Sequence, residues 1–406
     1  MEARLIGLGG VLVILALAVA LSTNRRGISL RVTGAAFALQ VVLAVFVLYV
    51  DGGRRLLDWL SEGVLAIIGY SKAGIDMVFG PLADADIVGF SFAINVLPII
   101  IFFSSLMSVL YHLRIMEWIV RLVGGALHRI IGAGGVESMN AAANVFVGQT
   151  EAPLVVRPYL RGLTEAQMFT VMVSGLASVA GTVLAAYVLM GAELKFLLAA
   201  SFMAAPGGLL MAKIMMPDEG GPVHGRETMK MERSQHANVI LAAAVGASDG
   251  LKLAVNIGAM LVAFVALIAL FNGLVGLVAG WFGYVLTLQD ILGFLFRPLM
   301  FMLGIPWAEA GAAGSLFGEK LILNEFVAFS HLGDYLADAS ERTRAIVTFS
   351  LCGFANLSSI AILLGGLGVL VPEKRELIAR FGLRAVAAGS LSNLMSAALA
   401  GLLLTV

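Results

Sequence analysis

Residues 148–153 read Gly-Gln-Thr-Glu-Ala-Pro and place a carboxylate and an amide inside otherwise apolar sequence. A second acidic segment, Asn-Glu-Phe-Val-Ala-Phe, lies at residues 324–329. Each is followed along the chain by a hydrophobic segment with a serine-containing break, at residues 175–181 and 353–360. Polar groups at membrane depth are costly unless they line a cavity or bind something. Their duplication predicts two related halves that meet around one polar site, as in a secondary transporter.

The composition is that of a membrane protein. Of the 406 residues, 60% are hydrophobic and 13% are charged, whereas soluble domains carry about 25% charged residues. Lys plus Arg and Asp plus Glu number 26 each, which gives no basic footprint for nucleic acid. The single Cys352 excludes a disulfide within the chain and a cluster of cysteine ligands. We therefore expect the lipid bilayer as a partner, no nucleic acid and no cofactor.

The apolar segments predict both spanning and surface helices. A span needs about 20 apolar residues, and the candidates are 4–22, 31–50, 87–111, 166–192, 196–216, 253–283, 344–370 and 383–405. Segment 56–79 has mixed polarity and segment 112–130 has amphipathic helical spacing, so we expect both along the membrane surface. The predicted fold class is an all-α polytopic membrane protein with eight transmembrane helices, two re-entrant helical hairpins, an inverted repeat and interfacial helices.

The two hairpins are predicted from length. Residues 134–157 are too few for two crossings, but two arms of about 11 residues would each reach about 16 Å, near the bilayer midplane. A re-entrant hairpin is tolerated where protein or a water-filled cavity satisfies its backbone. Residues 288–330, interrupted by Pro298, Gly304 and Pro306, predict a second hairpin.

The segments assemble into a predicted domain organisation. Its parts are N-terminal scaffold spans at 1–111, an interfacial helix at 112–133, a first transport repeat at 134–216, a cytoplasmic linker at 217–252, a scaffold span at 253–287 and a second transport repeat at 288–405. Each repeat contains a hairpin, a broken span and a further span, and an odd number of crossings between them predicts inverted topology. Basic clusters on one side predict a multi-pass protein of the inner (plasma) membrane, with both termini outside.

Glu151 and Glu325 are the strongest candidates for ligand binding, because intramembrane carboxylates are functional by default. Each could instead cap a hairpin turn, and Glu325 could pair with the nearby Lys320. Phe354 could stack on an aromatic ligand, although packing in the core is the better interpretation of its sequence context.

Further polar residues beside the carboxylates suggest the chemistry of the ligand. Gln149 and Asn356 offer donors and acceptors to an uncharged ligand that is multiply hydroxylated or heterocyclic. Thr150, Ser358 and Ser359 could add hydroxyl contacts, or could bond back to their own helices as Ser and Thr commonly do in spans.

A second, smaller site is suggested by Asn144 and Ser178. A hard monovalent cation prefers oxygen ligands, and broken helices supply carbonyls beside side-chain oxygens. Asn144 and Ser178 with the backbone oxygens of Val147 and Val179 would make a Na⁺ site. The alternative is that Asn144 only satisfies the hairpin backbone.

At these residues the sequence closely resembles the concentrative nucleoside transporter family. The resemblance is carried by residues 135–153, 256–267, 324–328 and 352–360, the last reading Cys-Gly-Phe-Ala-Asn-Leu-Ser-Ser-Ile. It implies a homotrimer that moves nucleosides inward together with a cation. By this resemblance Gln149, Thr150 and Glu151 recognise the nucleobase, with Val183 near it and Phe354 lining its pocket; Glu325, Asn356 and Ser359 hold the ribose; and Asn144, Val147, Ser178 and Val179 form the sodium site.

The sequence thus predicts a secondary active transporter that imports uridine-like nucleosides by symport with Na⁺, with a weak preference for pyrimidines. The nearest alternative is a proton-coupled nucleoside symporter with Glu151 or Glu325 as the proton carrier. An enzyme using this pair as acid and base lacks a nucleophile, a metal motif and a cofactor fingerprint in the sequence. A passive channel is a further alternative.

Overall fold

The computed structural model describes residues 2–218, 236–283 and 285–404. Within these ranges the chain is helical and contains no strand, which confirms the predicted all-α class. Seven of the described helices are long and apolar enough to cross a membrane, or eight if one bent pair counts as a span. The bent pair is formed by Leu288–Met302 and Trp307–Ile322, and the candidates include the segment from Asp51 to Val88, so this set differs from the eight predicted spans, whose number stays a prediction.

The N-terminal part begins with α1 (Glu2–Ala20), α2 (Leu30–Leu48) and α3 (Asp51–Phe79), and continues through the short α4 (Ala85–Val88) and α5 (Phe92–Asn95) to α6 (Leu97–His112). Together with the turns up to Val88, α3 is long and apolar enough for a span, whereas the sequence predicted that 56–79 lies along an interface. Seven of the 29 residues of α3 are charged and all seven are exposed, so the interfacial position stays a prediction.

The first repeat starts with the amphipathic α7 (Ile115–Ile131), which corresponds to the predicted interfacial helix. Hairpin 1 follows as α8 (Gly135–Ala143), a turn at residues 144–151 and α9 (Ala152–Val155), and leads into α10 (Glu165–Ala177). The chain is extended from Ser178 to Ala180 before α11 (Gly181–Leu189) and α12 (Leu194–Met215). We call residues 178–180 break 1. A helix ended by three extended residues and then resumed is the broken span that the sequence predicts.

The second repeat follows α13 (Val239–Gly280) and has the same order of elements. It consists of α14 (Leu288–Met302), α15 (Trp307–Ile322), α16 (Glu325–Ser330), α17 (Leu332–Tyr335), α18 (Glu341–Leu351), α19 (Ser358–Gly365), α20 (Leu367–Leu370) and α21 (Arg375–Leu403). We call residues 352–357, between α18 and α19, break 2.

Hairpin 2 begins later than the sequence predicts. The chain bends by 118° between α14 and α15 and turns again at Leu323 and Asn324. Hairpin 2 is therefore formed by α15 and α16, and α14 corresponds to α7 of the first repeat. Pro298 lies inside α14 without ending it; the bend falls at Gly304, whose φ of 93° favours glycine, and at Pro306, which caps α15.

The linker and the N-terminal unit also have different boundaries in the structure from those predicted from the sequence. Residues 239–252 belong to α13 and not to the linker predicted at 217–252, because their apolar sequence continues into the span without a breaker. Residues 219–235 of that linker lie outside the described part of the chain. The predicted unit 1–111 is divided by its packing: α1 and α2 pack against α12 and α21, whereas α6 packs along α13.

Small residues allow both of these contacts. The amide of Gln40 in α2 donates to the Ser396 hydroxyl of α21 over 3.0 Å. Between α6 and α13, a Cβ added at Gly246 would lie only 2.6 Å from the Cβ of Ser108, so glycine is needed for this close approach. The Ser108 hydroxyl also donates to the carbonyl of Ala242 across this interface. The packing therefore separates an α6–α13 pair from a bundle that contains both repeats.

Candidate functional site

Hairpin 1 is bonded directly to the residue that follows break 1. The amide of Gly181, at the start of α11, donates to the carbonyl of Phe146 in the hairpin turn over 3.0 Å. A Cβ added at Gly181 would lie 2.8 Å from that same carbonyl oxygen, so a larger residue would push the turn away. This contact places the tip of hairpin 1 beside the end of α10.

The tip of hairpin 1 also reaches the second repeat. The Gln149 amide nitrogen donates to the Ser359 hydroxyl of α19 over 3.3 Å, while the Gln149 Oε1 is buried without a partner among the described residues. The Thr150 methyl packs against Gly366, where an added Cβ would come within 2.7 Å of it. Polar residues of the two repeats therefore meet at one place, as their duplication in the sequence predicts.

Glu325 is the central carboxylate of this meeting point. It lies in the first turn of α16, where the helix dipole favours negative charge, and Asn324 caps that helix by accepting from the Val327 amide. The Glu325 Oε1 accepts from the Tyr187 hydroxyl over 3.1 Å and its Oε2 accepts from the Asn356 amide over 3.0 Å. The carboxylate is thus oriented by two donors on different elements, and the predicted alternative of a direct pair with Lys320 is not what the structure gives.

Break 2 orients its own amide. The Asn356 Oδ1 accepts from the Ser358 hydroxyl over 2.7 Å and from the Ser359 backbone amide over 2.9 Å. Its Nδ2 is the donor to Glu325, so the Asn356 side chain cannot flip without losing bonds at both ends. The Ser358 hydroxyl oxygen also lies 3.2 Å from the carbonyl oxygen of Leu323, which places break 2 beside the turn of hairpin 2.

These residues enclose a cavity of about 510 Å³, within the range of roughly 300–1,000 Å³ typical of small-molecule sites. All eight residues that the sequence predicts for substrate binding line it: Gln149, Thr150, Glu151, Val183, Glu325, Phe354, Asn356 and Ser359. Its remaining wall comes from α13 through Leu253, Asn256, Ile257, Ala259 and Met260. The cavity therefore lies between the two repeats and the α6–α13 pair.

Two residues of this region were not predicted as site residues. Tyr187 is fully buried, stacks on Phe329 with ring centroids 4.4 Å apart, and donates to Glu325. Asn256 is an amide in the long apolar α13 and lines the cavity. Asn256 could have been predicted, because an amide stands out in an otherwise apolar span. Tyr187 could not, because an aromatic residue in an apolar helix is typical of the packed core.

The four residues predicted to bind sodium are all buried beside hairpin 1. The Asn144 amide nitrogen donates to the carbonyl of Asn140 over 2.9 Å, and its Oδ1 has no partner among the described residues. That oxygen lies next to the end of α10, since a Cβ added at Gly175 would be 3.7 Å from it. The Ser178 hydroxyl donates to the carbonyl of Ser174. The chain therefore places an unpaired amide oxygen of hairpin 1 beside the end of α10, which Ser178 directly follows.

A polar contact outside the cavity joins the end of α10 to the start of break 2. Asn393 of α21 donates through its Nδ2 to the carbonyls of Ala177 and Cys352, over 2.7 and 2.9 Å. Its Oδ1 accepts from the fully buried Lys320 of hairpin 2 over 3.0 Å. The carbonyls of Ala177 and Cys352 thus share one amide group, whose oxygen binds the Lys320 ammonium.

Comparison with known proteins supports the same identity over nearly the whole chain. The family model described as Na+ dependent nucleoside transporter matches at residues 9–82 for its N-terminus and 196–401 for its C-terminus, and a model described as nucleoside recognition matches residues 93–194. The chain is 51% identical over 404 residues to the nucleoside permease NupC of Helicobacter pylori, covering 97% of this chain and 96% of the relative. It is 36% identical to sodium/nucleoside cotransporter 1 of Mus musculus, covering 98% of this chain and 64% of the relative.

Solved structures show the same fold. CNTnw in an inward-facing substrate-bound state matches with a TM-score of 0.94 at 50% identity, covering 99% of this chain and 98% of the other. A CNTnw variant in an outward-facing state matches with a TM-score of 0.95 at 51% identity and the same coverage. The resemblance seen in the sequence is thereby confirmed: the chain belongs to the concentrative nucleoside transporter family, whose members are multi-pass membrane transporters and not enzymes and, in bacteria, lie in the inner membrane.

Proposed function

We propose that this protein imports nucleosides by symport with Na⁺, through alternating access of a body that carries both hairpins. The observation that carries the proposal is the single cavity reached by both hairpin tips and both breaks. A site built at the junction of two inverted repeats is accessible from either side when one body moves against the other. The α6–α13 pair, which supplies one wall of the cavity, would be the stationary side.

The ribose would bind at Glu325 and Asn356. Each oxygen of the Glu325 carboxylate accepts one hydrogen bond from the protein and retains lone-pair capacity for a hydroxyl. The Asn356 amide uses one N–H on Glu325, so its second N–H remains for a ribose oxygen. Vicinal hydroxyls, which donate and accept at neighbouring atoms, suit this carboxylate and amide pair.

The nucleobase would bind toward the tip of hairpin 1. The unpaired Gln149 Oε1 suits a ring N–H donor, and its amide nitrogen, bonded to Ser359, keeps that oxygen oriented. Thr150 and Glu151 would supply further polar contacts, while Val183 and Phe354 provide apolar surface for a ring. The N–H and carbonyl edge of uracil fits these groups, which is the basis for proposing a preference for pyrimidines.

Sodium would bind at Asn144 and Ser178 with the carbonyls of Val147 and Val179. The support is the orphaned Asn144 Oδ1, because a buried acceptor without a partner costs about 1–3 kcal/mol unless a ligand satisfies it. The ion would hold hairpin 1 against break 1, five residues before Gln149. We also propose a homotrimer, as the family resemblance implies, with the exposed apolar residues Val262, Leu270 and Phe271 of α13 facing lipid or another subunit.

Uptake into proteoliposomes tests the proposal. We expect radiolabelled uridine to accumulate against its gradient when Na⁺ is imposed inward, and not with a matched K⁺ gradient. Accumulation driven by an inward proton gradient without Na⁺ would retain the nucleoside as substrate and refute the sodium site. No accumulation of uridine or of purine nucleosides under either gradient would refute the proposed transport itself.

A further inference from the structure

A buried charge pair lies in hairpin 2, outside the nucleoside cavity. The side chain of Glu319, in α15, is fully buried, and its Oε2 lies 2.9 Å from the Nδ1 of His331, which follows α16. The His331 side chain is 28% exposed, so a proton can reach the pair from one side. The pair connects the two arms of hairpin 2, and neither residue contributes to the cavity.

The pair continues into a chain of amides that ends on α13. The second Glu319 oxygen accepts from the Gln289 amide nitrogen of α14 over 2.9 Å, and the Gln289 Oε1 accepts from Asn272 of α13 over 3.0 Å. The Asn272 oxygen in turn accepts from the Leu288 backbone amide over 2.7 Å. Ser315 of α15 adds a hydroxyl bond to the Gln289 carbonyl. Hairpin 2 is therefore attached through Glu319 to the corner where α13 passes into α14.

Few other titratable groups face this pair. Asp290 of α14 with Asp334 and Tyr335 of α17 lie around it, and the Tyr335 ring packs edge-on against the His331 ring with centroids 5.8 Å apart. Asp290 is engaged by Thr287 at the start of α14. Each of these neighbours is acidic or neutral, so none of them neutralises Glu319.

The titratable groups of the other packed helices are engaged elsewhere. In α11, Tyr187 donates to Glu325, and in α18 the Arg342 guanidinium donates to the carbonyls of Gly304 and Gly401. Also in α18, Glu341 lies 3.6 Å from Lys195 and Arg344 donates to the Ala337 carbonyl. The charged residues of α13, Asp249 and Lys252, pair with each other near its opposite end. His331 is thus the group in hydrogen-bond contact with Glu319 that can carry a positive charge.

A buried carboxylate is costly unless it is paired with a positive charge or protonated. When one proton is added to the carboxylate and neutral imidazole, the net charge of the pair is zero, whichever of the two groups carries that added proton. When the pair releases it, Glu319 is left as a buried anion held only by neutral donors. The arrangement that keeps hairpin 2 on the α13–α14 corner is therefore stabilised by one proton taken up from water.

We propose that Glu319 and His331 form a proton-binding site whose occupancy holds hairpin 2 against the α13–α14 corner. The inference rests on the proposed transport only for its functional consequence, since the site itself is a property of the fold. Proton binding shifts the hairpin toward the attached arrangement by its differential affinity for that arrangement. Uptake at saturating Na⁺ therefore depends on pH through this pair.

Thermal melting of the purified full-length protein, followed across about pH 5 to 8, where histidine titrates, tests the site without transport. We expect the wild-type midpoint to fall toward the alkaline end. In His331→Gln the melting midpoint should be lower at acid pH, so that at least half of the wild-type decrease between acid and alkaline pH is lost. In the isosteric Glu319→Gln the midpoint should stay high at alkaline pH, so that the decrease is also lost. The matched control is His128→Gln, because the His128 ring contacts the Ala133 carbonyl and not a carboxylate.

Na⁺-driven uridine uptake, with equal pH on both sides of the vesicle, is measured on the same variants. A severalfold loss of rate toward alkaline pH in the wild type, flattened by Glu319→Gln, supports the functional part. Melting profiles that keep their full pH dependence in both variants, or that flatten equally in His128→Gln, overturn the site. Absent uptake at every pH with a His331-dependent melting profile would refute the proposed transport and leave the proton site standing.

Discussion

Replacing Glu325 by Gln tests the ribose site with the smallest change of shape. The carboxylate oxygens accept from Tyr187 and Asn356, and an amide can keep one acceptor only. Its oxygen should face Asn356, whose Nδ2 cannot accept a hydrogen bond, while its nitrogen faces the Tyr187 hydroxyl, which can rotate to accept. The fold of the cavity is therefore expected to survive, and the charge offered to the ligand disappears.

The magnitude follows from the two hydrogen bonds that vicinal hydroxyls would donate. Hydrogen bonds to a charged group contribute about 1.5–3 kcal/mol and neutral ones about 0.5–1.5 kcal/mol. Each hydrogen bond from a ribose hydroxyl should therefore become weaker by roughly 1 kcal/mol when the carboxylate is replaced by an amide. Two such losses total about 2 kcal/mol, which corresponds to an approximately 30-fold weaker apparent affinity. We expect the KM for uridine to rise by about that factor.

The assay is the concentration dependence of Na⁺-driven uptake, with uridine and 2′,3′-dideoxyuridine as paired substrates. The dideoxy compound lacks both hydroxyls, so its uptake should change only a few-fold between wild type and Glu325→Gln. Glu341→Gln is the matched control, because Glu341 also lies in the first turn of its helix but is exposed and outside the cavity. A uridine KM within threefold of wild type, or an equal change for both substrates, would refute the ribose assignment.

The remaining predictions concern three other side chains. Gln149→Leu should raise the uridine KM about tenfold and change the ratio of uridine to adenosine uptake, because the unpaired Oε1 is lost. An unchanged ratio in competition uptake would contradict the assignment of Gln149 to the nucleobase. Asn144→Leu should raise the Na⁺ concentration for half-maximal uptake by about tenfold or more, while the uridine KM at saturating Na⁺ changes little. If the Na⁺ concentration for half-maximal uptake stays the same, Asn144 does not bind the ion. Asn393→Leu removes the acceptor of the buried Lys320 ammonium, and a lost hydrogen bond to a charged group costs about 1.5–3 kcal/mol. Its melting midpoint should fall below that of the control Ser390→Ala, whose hydroxyl is unpaired among the described residues, and equal midpoints would contradict this.

Much of the fold was predictable because a bilayer restricts the backbone conformations that can lie in its hydrocarbon region. Apolar length sets the spans, and a polar stretch too short for two crossings must re-enter, so the first hairpin and both breaks were found from the sequence. Hairpin 2 was placed too early because Pro298 was interpreted as a break, whereas α14 continues through it. The contacts of α1 and α2 were not predictable from polarity, since packing partners of apolar helices are chosen by small residues such as Gly10, where an added Cβ would lie 2.2 Å from the Met302 carbonyl.

The candidate site was predictable to the extent that polar residues stand out from apolar sequence. Glu151, Glu325, Gln149 and Asn356 do so, and the resemblance then assigned each a role. Their mutual geometry was not predictable, because the bonds that orient them join residues far apart in the chain. Tyr187 shows this limit: its hydroxyl orients Glu325, yet the helix in which it lies gives no polar signal.

The geometry also bears on how an ion and a nucleoside would be coupled in the proposed symport. One turn, residues 144–151, holds the orphaned oxygen of Asn144 at its start and the base-facing Gln149 near its end. The Phe354 amide donates to the Ser178 carbonyl over 3.1 Å, so break 1 and break 2 are joined by a backbone hydrogen bond. An ion that fixes the turn against Ser178 would therefore fix Gln149 relative to Asn356 before the nucleoside arrives. Because coupling between two ligands is reciprocal, the factor by which Na⁺ strengthens nucleoside binding must equal the factor by which the nucleoside strengthens Na⁺ binding. Coupling then requires no contact between ion and substrate, only a turn that is ordered for both.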